Sequence, residues 1–164
     1  MSAPCALCPG GSEAGLVPIW QDDFLCVVFA GDPDIPAFIR VVCKAHVREM
    51  SDLPIAERSR MMRTVLVVED ALRQAVAPDK VNLASLGNVV PHLHWHVIPR
   101  YTADAHFPQP VWGVRQRDPD PALLARQHAA LPELREALAR ALTPALSRRE
   151  RGPNTPSPSG RGLG

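Results

Sequence analysis

Pro91-His92-Leu93-His94-Trp95-His96-Val97-Ile98-Pro99-Arg100 is the stretch on which the reading of this chain turns. Three histidines stand at i, i+2 and i+4, alternating with Leu93, Trp95 and Val97. On a β-strand, alternate side chains share a face. The pattern therefore predicts a strand over 92–100 with an apolar face for the core and a face of imidazoles. Lining up like-titrating groups serves no packing purpose, because protonating them together is repulsive. The row is read as chemistry.

Two kinds of chemistry suit it. At a rise of about 3.3 Å per residue, the Cα atoms of His92 and His96 lie roughly 13 Å apart. Metal–imidazole bonds are only about 2.0–2.1 Å, so one ion held by all three would strain a straight strand. A division of labour is easier: one histidine serves a metal while another does covalent work. A neutral imidazole is a good nucleophile near neutral pH. Its attack on phosphorus gives a phosphoramidate that water can discharge, with a neighbouring imidazole protonating the leaving group.

Around this strand the chain alternates short strands with helices. Upstream, 81–86 reads as a strand ended by the turn pair Gly87-Asn88. Before it, Met61, Met62, Val65, Val68, Leu72 and Val76 recur at helical spacing. Ser51 and Asp52 offer capping oxygens, Pro54 suits a first turn and Pro78 stops the helix. Earlier still, 24–30 and 37–43 are β-branched, apolar runs joined by Gly31-Asp32-Pro33-Asp34-Ile35-Pro36, which suggests an antiparallel pair. A shorter apolar run covers 16–20. Downstream, 101–120 is proline-rich and irregular, and 123–142 is a second helical region with a break expected at Pro132.

His92-Leu93-His94-Trp95-His96-Val97-Ile98 matches H-φ-H-φ-H-φ-φ and so resembles the signature of the histidine triad (HIT) superfamily. Asn82, the glycine loop at Gly87 and Pro99-Arg100 agree with it, and the resemblance runs from about Cys5 to Trp112. It implies an α+β, HIT-like fold: an antiparallel sheet of about five strands with one long helix and a C-terminal helix. It divides the chain into a HIT domain over 1–120, a C-terminal helical segment over 121–142 and a tail over 143–164. It also implies that His94 attacks the α-phosphate of a nucleoside polyphosphate or phosphoramidate to form a nucleotidyl-histidine. His96 would contact the phosphate and assist the leaving group. Gly87, Asn88, Val89 and Val90 would hold the phosphate through backbone N–H groups, and Asn82 would sit near the ribose or phosphate. Relatives of this kind are often homodimers.

Cys5 and Cys8 form a C-x-x-C, which in a chain expected to be cytosolic suggests a metal or redox role. In relatives that carry such a motif, the resemblance implies zinc held by Cys5, Cys8, His46 and His92, a closed set typical of structural sites. Cys26 and Cys43 lie in apolar runs and are expected as small core residues. The chain also departs from the family pattern. Phe38 stands where many members carry a fourth histidine, and Val89 where a hydroxyl residue is common. The acidic ribose contact aligns near Ala30, with Asp32 or Asp34 close by. His106 is either a phosphate contact or an exposed loop histidine, and His128 is expected on the surface.

Composition narrows the function classes. The chain has 164 residues, 46% of them apolar and 21% charged, with a net charge of +1. These values suit a globular domain with one core. Arg148, Arg149, Arg151 and Arg161 concentrate positive charge in 143–164, a Pro/Ser/Gly-rich stretch expected to be disordered. The remainder is slightly acidic and offers no footprint for nucleic acid. No apolar run approaches the roughly 20 residues of a membrane span. The first ten residues lack a charged segment followed by an apolar one, so a cytoplasmic location is expected. The function expected is a hydrolase or transferase of small nucleotides. The alternatives are a phosphorylase using the same intermediate, a metalloenzyme ligated by the triad, and a nucleotide- and zinc-binding module with little turnover.

Overall fold

The computed structural model describes residues 5–8, 11 and 16–147, with side chains given up to 143. Most of 143–164, expected to be disordered, lies outside these residues. Five strands, β1 (Pro18–Gln21), β2 (Leu25–Phe29), β3 (Ile39–Cys43), β4 (Lys80–Ala84) and β5 (His94–Arg100), form one antiparallel sheet in the order β1-β2-β3-β5-β4. Two helices, α1 (Ile55–Val76) and α2 (Pro121–Ser147), pack against each other and cover one face of it. The architecture is the α+β one expected. No described helix is long and apolar enough to cross a membrane.

Strand pairing explains which side chains go where. Val27 faces Val41, Val41 faces Trp95 and Leu83 faces Val97. These positions share the helix-covered face and join the main core. Toward them α1 turns Met61, Thr64, Val65, Val68, Ala71, Leu72 and Val76, all buried. Full burial of such an aliphatic side chain contributes about 1.5–3 kcal/mol. The helix starts later than its capping signals suggested. Ser51 and Asp52 belong to a separate 3₁₀ turn (Met50–Asp52), and Pro54 is the N-cap residue of α1. Leu53, restricted by the proline after it, is extended at ψ 148° and separates the two. At the other end Ala77 takes the left-handed conformation, with φ 42°, just before Pro78.

α2 corrects two expectations. It runs through Pro132 without a break and continues past 142 to Ser147. A proline inside a helix costs about 3 kcal/mol or more through its missing N–H and its ring clash. Leu134, Leu138 and Leu142 on the far side of that proline are all at most 1% exposed against the core. Their burial outweighs the local loss.

Among the described residues, no helix covers the opposite face of the sheet. Val42 pairs with His94, Arg40 with His96, and Ala84 with His96 from the other side. Phe38, Ile35, Ile98 and Val111 form a small second core at one end of this face. The loop 101–120 lies there too, through Val111 and Trp112.

Candidate functional site

β5 begins at His94, two residues later than the histidine pattern suggested. The N–H of His92 bonds to the Val90 carbonyl, and that of Leu93 to the Val47 carbonyl at 2.6 Å. The entry to the strand is thus bent toward the loop after β3, and the three histidines divide into two groups. His94 and His96 stay together on the open face, their ring centroids 4.6 Å apart. The His92 ring turns to His46, with centroids 5.3 Å apart.

At that second location four donors converge. Single donor atoms of Cys5, Cys8, His46 and His92 all lie within 4.8 Å of one another. The His92 Nδ1 is 3.5 Å from each sulfur, and the Cys8 Sγ is 3.3 Å from the His46 Nδ1. Metal–sulfur bonds of about 2.3 Å and metal–nitrogen bonds of about 2.0–2.1 Å set tetrahedral donors roughly 3.4–3.8 Å apart. The three separations of 3.3–3.5 Å fit that spacing. His92 Nε2 is 2.6 Å from the Cys43 carbonyl, which can only accept, so Nε2 carries the proton and Nδ1 presents its lone pair to the cluster. Burial also lowers the His92 pKa, favouring the neutral ring that a metal ligand must be.

The other pair opens into a cavity of about 430 Å³ lined by Arg40, Leu86–Val90, His94, His96, Trp112 and Leu7. Small-molecule sites span about 300–1,000 Å³. His94 Nδ1 lies 2.6 Å from the His92 carbonyl. That oxygen is an obligate acceptor, so the proton sits on Nδ1 and the Nε2 lone pair is the reactive one. Ser85 donates to the His94 carbonyl at 2.9 Å and fixes the backbone beneath the ring. His96 is 5% exposed, tilted against Phe38 and edge-on to Trp112 at 4.9 Å. Its Nδ1 has no hydrogen-bond partner among the described residues.

A family model described as HIT domain matches residues 15–103. The chain belongs to the HIT family. This HIT protein is similar to a histidine triad protein of Bradyrhizobium japonicum, with a TM-score of 0.63, 30% identity and coverage of 79% of this chain and 92% of that one. A Marinobacter aquaeolei histidine triad protein gives a TM-score of 0.60 at 30% identity, covering 77% and 93%. A Zn-bound histidine triad family protein of Mycobacterium smegmatis gives 0.58 at 25%, covering 84% and 94%. Among curated proteins, bis(5'-adenosyl)-triphosphatase of Saccharomyces cerevisiae is 31% identical over 75 residues. The match spans 42% of this chain and 36% of that relative, about a third of its length.

Within this HIT domain the remaining expected contacts are distributed as follows. Gly87, Asn88, Val89 and Val90 line the cavity beside both histidines. Val89, where a hydroxyl residue is common in the family, is 94% exposed. Asn82 is not among the cavity-lining residues; its Oδ1 accepts a 3.1 Å bond from Arg100. Asp32 Oδ1 accepts the N–H groups of Asp34 and Ile35. Asp34 is buried and engaged by Arg115 through two bonds of 2.7 and 2.8 Å and by His106 Nε2 at 3.0 Å. His106 is therefore neither an exposed loop residue nor a cavity-lining one: it ties the 101–117 loop down near Trp112. His128 is exposed, as expected, and its Nδ1 donates to the Leu124 carbonyl of its own helix. Cys43 is buried as expected, whereas Cys26 is only partly so.

Arg40 and Leu7 are among the cavity residues that escaped the sequence reading. Arg40 had a signal, a single cation inside the β-branched run Ala37-Phe38-Ile39-Arg40-Val41-Val42-Cys43, which marks the open face. Leu7 had none, since only the folding of the N-terminal arm brings it there.

Burial, followed by the nearby His94 and Arg40, pushes the His96 pKa down to about 3. Its ring is neutral in the folded protein, while an unfolded histidine titrates near 6.5. Below that value the unfolded chain gains a proton that the folded chain refuses, so stability is lost as pH falls from about 6.5 toward about 3. Between pH 7 and pH 5 this one residue should cost about 2 kcal/mol of folding free energy. Urea unfolding of wild type and His96→Asn at both pH values measures it: the variant should lose less stability than wild type, and equal losses would refute the assignment.

Proposed function

We propose that this HIT protein is a nucleotide hydrolase or transferase that cleaves at the α-phosphate of nucleoside polyphosphates or nucleoside phosphoramidates. The observation that carries the reading is the His94 ring, which donates its Nδ1 proton to the His92 carbonyl and opens with His96 and the Leu86–Val90 loop into one cavity. Nε2 of His94 attacks the α-phosphorus, and the bond from phosphorus to the leaving oxygen or nitrogen breaks with its electron pair on the departing group, a departing nitrogen taking up a proton from solvent water to leave as an amine. Water then displaces the histidine and releases the nucleoside monophosphate. The backbone N–H groups of Gly87, Asn88, Val89 and Val90 hold the phosphate oxygens, as oriented amides do at other sites of developing negative charge. His96, neutral at rest, contacts the phosphate. Asn82, on the same face of the sheet but outside the cavity lining and held by Arg100, would meet the ribose end of the bound nucleotide.

The similarity to a bis(5'-adenosyl)-triphosphatase supports this substrate class. The test is intact-mass spectrometry after brief incubation with bis(5'-adenosyl) triphosphate or adenosine phosphoramidate, with AMP release followed in parallel. An adenylate adduct on the protein together with AMP is the expected result. Nucleotide binding with neither adduct nor AMP would instead favour the nucleotide- and zinc-binding module, a reading that rests on Phe38, beside His96, and Val89 occupying the places of polar residues.

We further propose that Cys5, Cys8, His46 and His92 hold zinc. When bound, the ion supplies a crosslink between the N-terminal arm and the entry to β5. The donor spacing supports this, as does the likeness to a Zn-bound family member. Elemental analysis should find one zinc per chain in wild type and about none in a Cys5→Ser/Cys8→Ser double variant. Loss of the crosslink should also lower the melting temperature by several degrees, since about 1 kcal/mol corresponds to roughly 2–8 °C for domains of this size range.

A further inference from the structure

We infer that His46 and Val47 are positioning residues for the nucleophile: their loop sets the peptide group that aims His94, and the four-donor cluster of Cys5, Cys8, His46 and His92 keeps that loop in place. The inference rests on both readings above, the nucleotidyl transfer and the zinc site, and joins them. One peptide group connects the two places. Its carbonyl is that of His92, which accepts the His94 Nδ1–H at 2.6 Å. Its N–H is that of Leu93, which donates to the Val47 carbonyl at 2.6 Å. A trans peptide group is planar, with its carbonyl and N–H pointing opposite ways. A shift of Val47 therefore tilts the whole plane and carries the acceptor of His94 with it.

The cluster grips both ends of the Val47–Leu93 hydrogen bond. His46 precedes Val47 in the chain and His92 precedes Leu93, so two of the four donors are the immediate neighbours of the two bonded residues. Residues 44–49 form neither α-helix nor strand, and Lys44, Ala45, His46, Arg48 and Glu49 are exposed. Lys44 ties the start of the loop to the Phe24 carbonyl at 2.9 Å, whereas the Val47 N–H turns back to the Ala45 carbonyl inside the loop. Between them, His46 Nδ1 reaches across to the Cys8 Sγ at 3.3 Å. On the strand side, His92 Nε2–H donates to the Cys43 carbonyl at 2.6 Å while Nδ1 faces both sulfurs at 3.5 Å. Donors that share one ion are held at a fixed separation, because bonds of about 2.0–2.3 Å allow little spread. Without that restraint the separation depends on an exposed loop, and the direction of the His94 Nε2 lone pair depends on it in turn.

The experiment compares zinc-loaded wild type, the same protein stripped of zinc by a chelator, His46→Ala and His46→Cys, all below their melting temperatures. Stripping and His46→Ala should each slow single-turnover adenylation at saturating bis(5'-adenosyl) triphosphate by about 100-fold, the cost of a misplacement of about 1 Å. His46→Cys, loaded with zinc, keeps four donors in a Cys₃His set and should recover most of that rate. The substrate-free proteins give a readout independent of turnover. In ¹⁵N-resolved NMR the His94 Nδ1 proton, protected in its 2.6 Å bond, should be seen in loaded wild type and His46→Cys and be lost on stripping and in His46→Ala. Leu7→Ala tests the competing explanation that freeing the N-terminal arm only opens the cavity, since Leu7 lies between the two cysteines and lines it. It should raise KM and keep the proton signal. Loss of that signal in Leu7→Ala as well would assign the effect to the arm and overturn the inference. An unchanged adenylation rate and proton signal in folded, zinc-free protein would also overturn it, with both readings left standing. Wild type that forms neither adduct nor AMP, or that takes up no zinc, would remove one of those readings and the inference with it.

Discussion

His94→Ala should lower AMP release by about 10⁴-fold or more, since removing a nucleophile typically eliminates nearly all of the rate enhancement. The expectation follows from the hydrogen bond that fixes the ring. With the Nδ1 proton given to the His92 carbonyl at 2.6 Å, the attacking lone pair is defined before substrate arrives. No neighbour can take over. The His96 ring is 5% exposed and packed between Phe38 and Trp112, and His92 is turned away to the cysteines. A His96→Asn variant should be slower by about 10²-fold, the lower end of what a positioned acid–base or phosphate contact contributes. Single-turnover AMP release separates the two, because His94→Ala should also lose the adenylate adduct, whereas His96→Asn should keep it. Activity in His94→Ala within tenfold of wild type would exclude the covalent route. His94 is 7% exposed and on the side of the sheet away from the main core, so melts of both variants should stay close to wild type and the kinetic losses can be read as chemistry.

How much of this was legible beforehand depends on the range of the interactions involved. The triad announced itself because alternation along a strand is local: His94 and His96 share a face for the reason that any i and i+2 residues do. The sheet and α1 followed from equally local periodicities. The departures are places where distant packing overrode a local rule. Pro132 breaks isolated helices, yet α2 continues because Leu134, Leu138 and Leu142 meet the core. His92 leaves the row because Val47, far away in sequence, takes the N–H of Leu93. The grouping of Cys5, Cys8, His46 and His92 was anticipated only by resemblance, since neither spacing nor composition ties residue 5 to residue 92. Arg40 was visible as an odd charge in an apolar strand, but its meaning depended on the β3–β5 register. Asp34, His106 and Arg115 come together across more than 70 residues, and nothing local marks them as partners.

Asp104→Ala should destabilise the fold by about 3–5 kcal/mol, the usual cost of removing one member of a buried ion pair. Its carboxylate and the Arg100 guanidinium are 0% and 3% exposed and joined by two bonds of 2.8 and 3.0 Å. The same oxygens also accept the N–H groups of Tyr101, His106 and Phe107. Deleting the carboxylate leaves a buried cation and three backbone donors with their main acceptor gone. Arg100 would keep its hydrogen bonds to the Asn82 Oδ1 and the Gln109 carbonyl, neither of them a charged partner. Domains are typically stable by about 5–15 kcal/mol, so a loss of this size is a large fraction of the whole. Urea unfolding at constant slope measures it, and a cost below about 1 kcal/mol would mean that water reaches the guanidinium and the pair is not sealed. The pH dependence gives an independent check. Burial pushes the Asp104 pKa up, but Arg100 and the backbone N–H groups outweigh it and hold the pKa below the ordinary value. Its stabilisation is therefore complete above about 3.9, the unfolded value, and is lost as pH falls through the depressed folded value. In Asp104→Ala that part of the acid sensitivity should vanish. The damage should also travel to the cavity, since Asp104 anchors the start of the loop that brings Trp112 against His96. A weaker KM for nucleotide, beyond the loss of folded protein, is then the expected functional trace of a residue that touches no substrate.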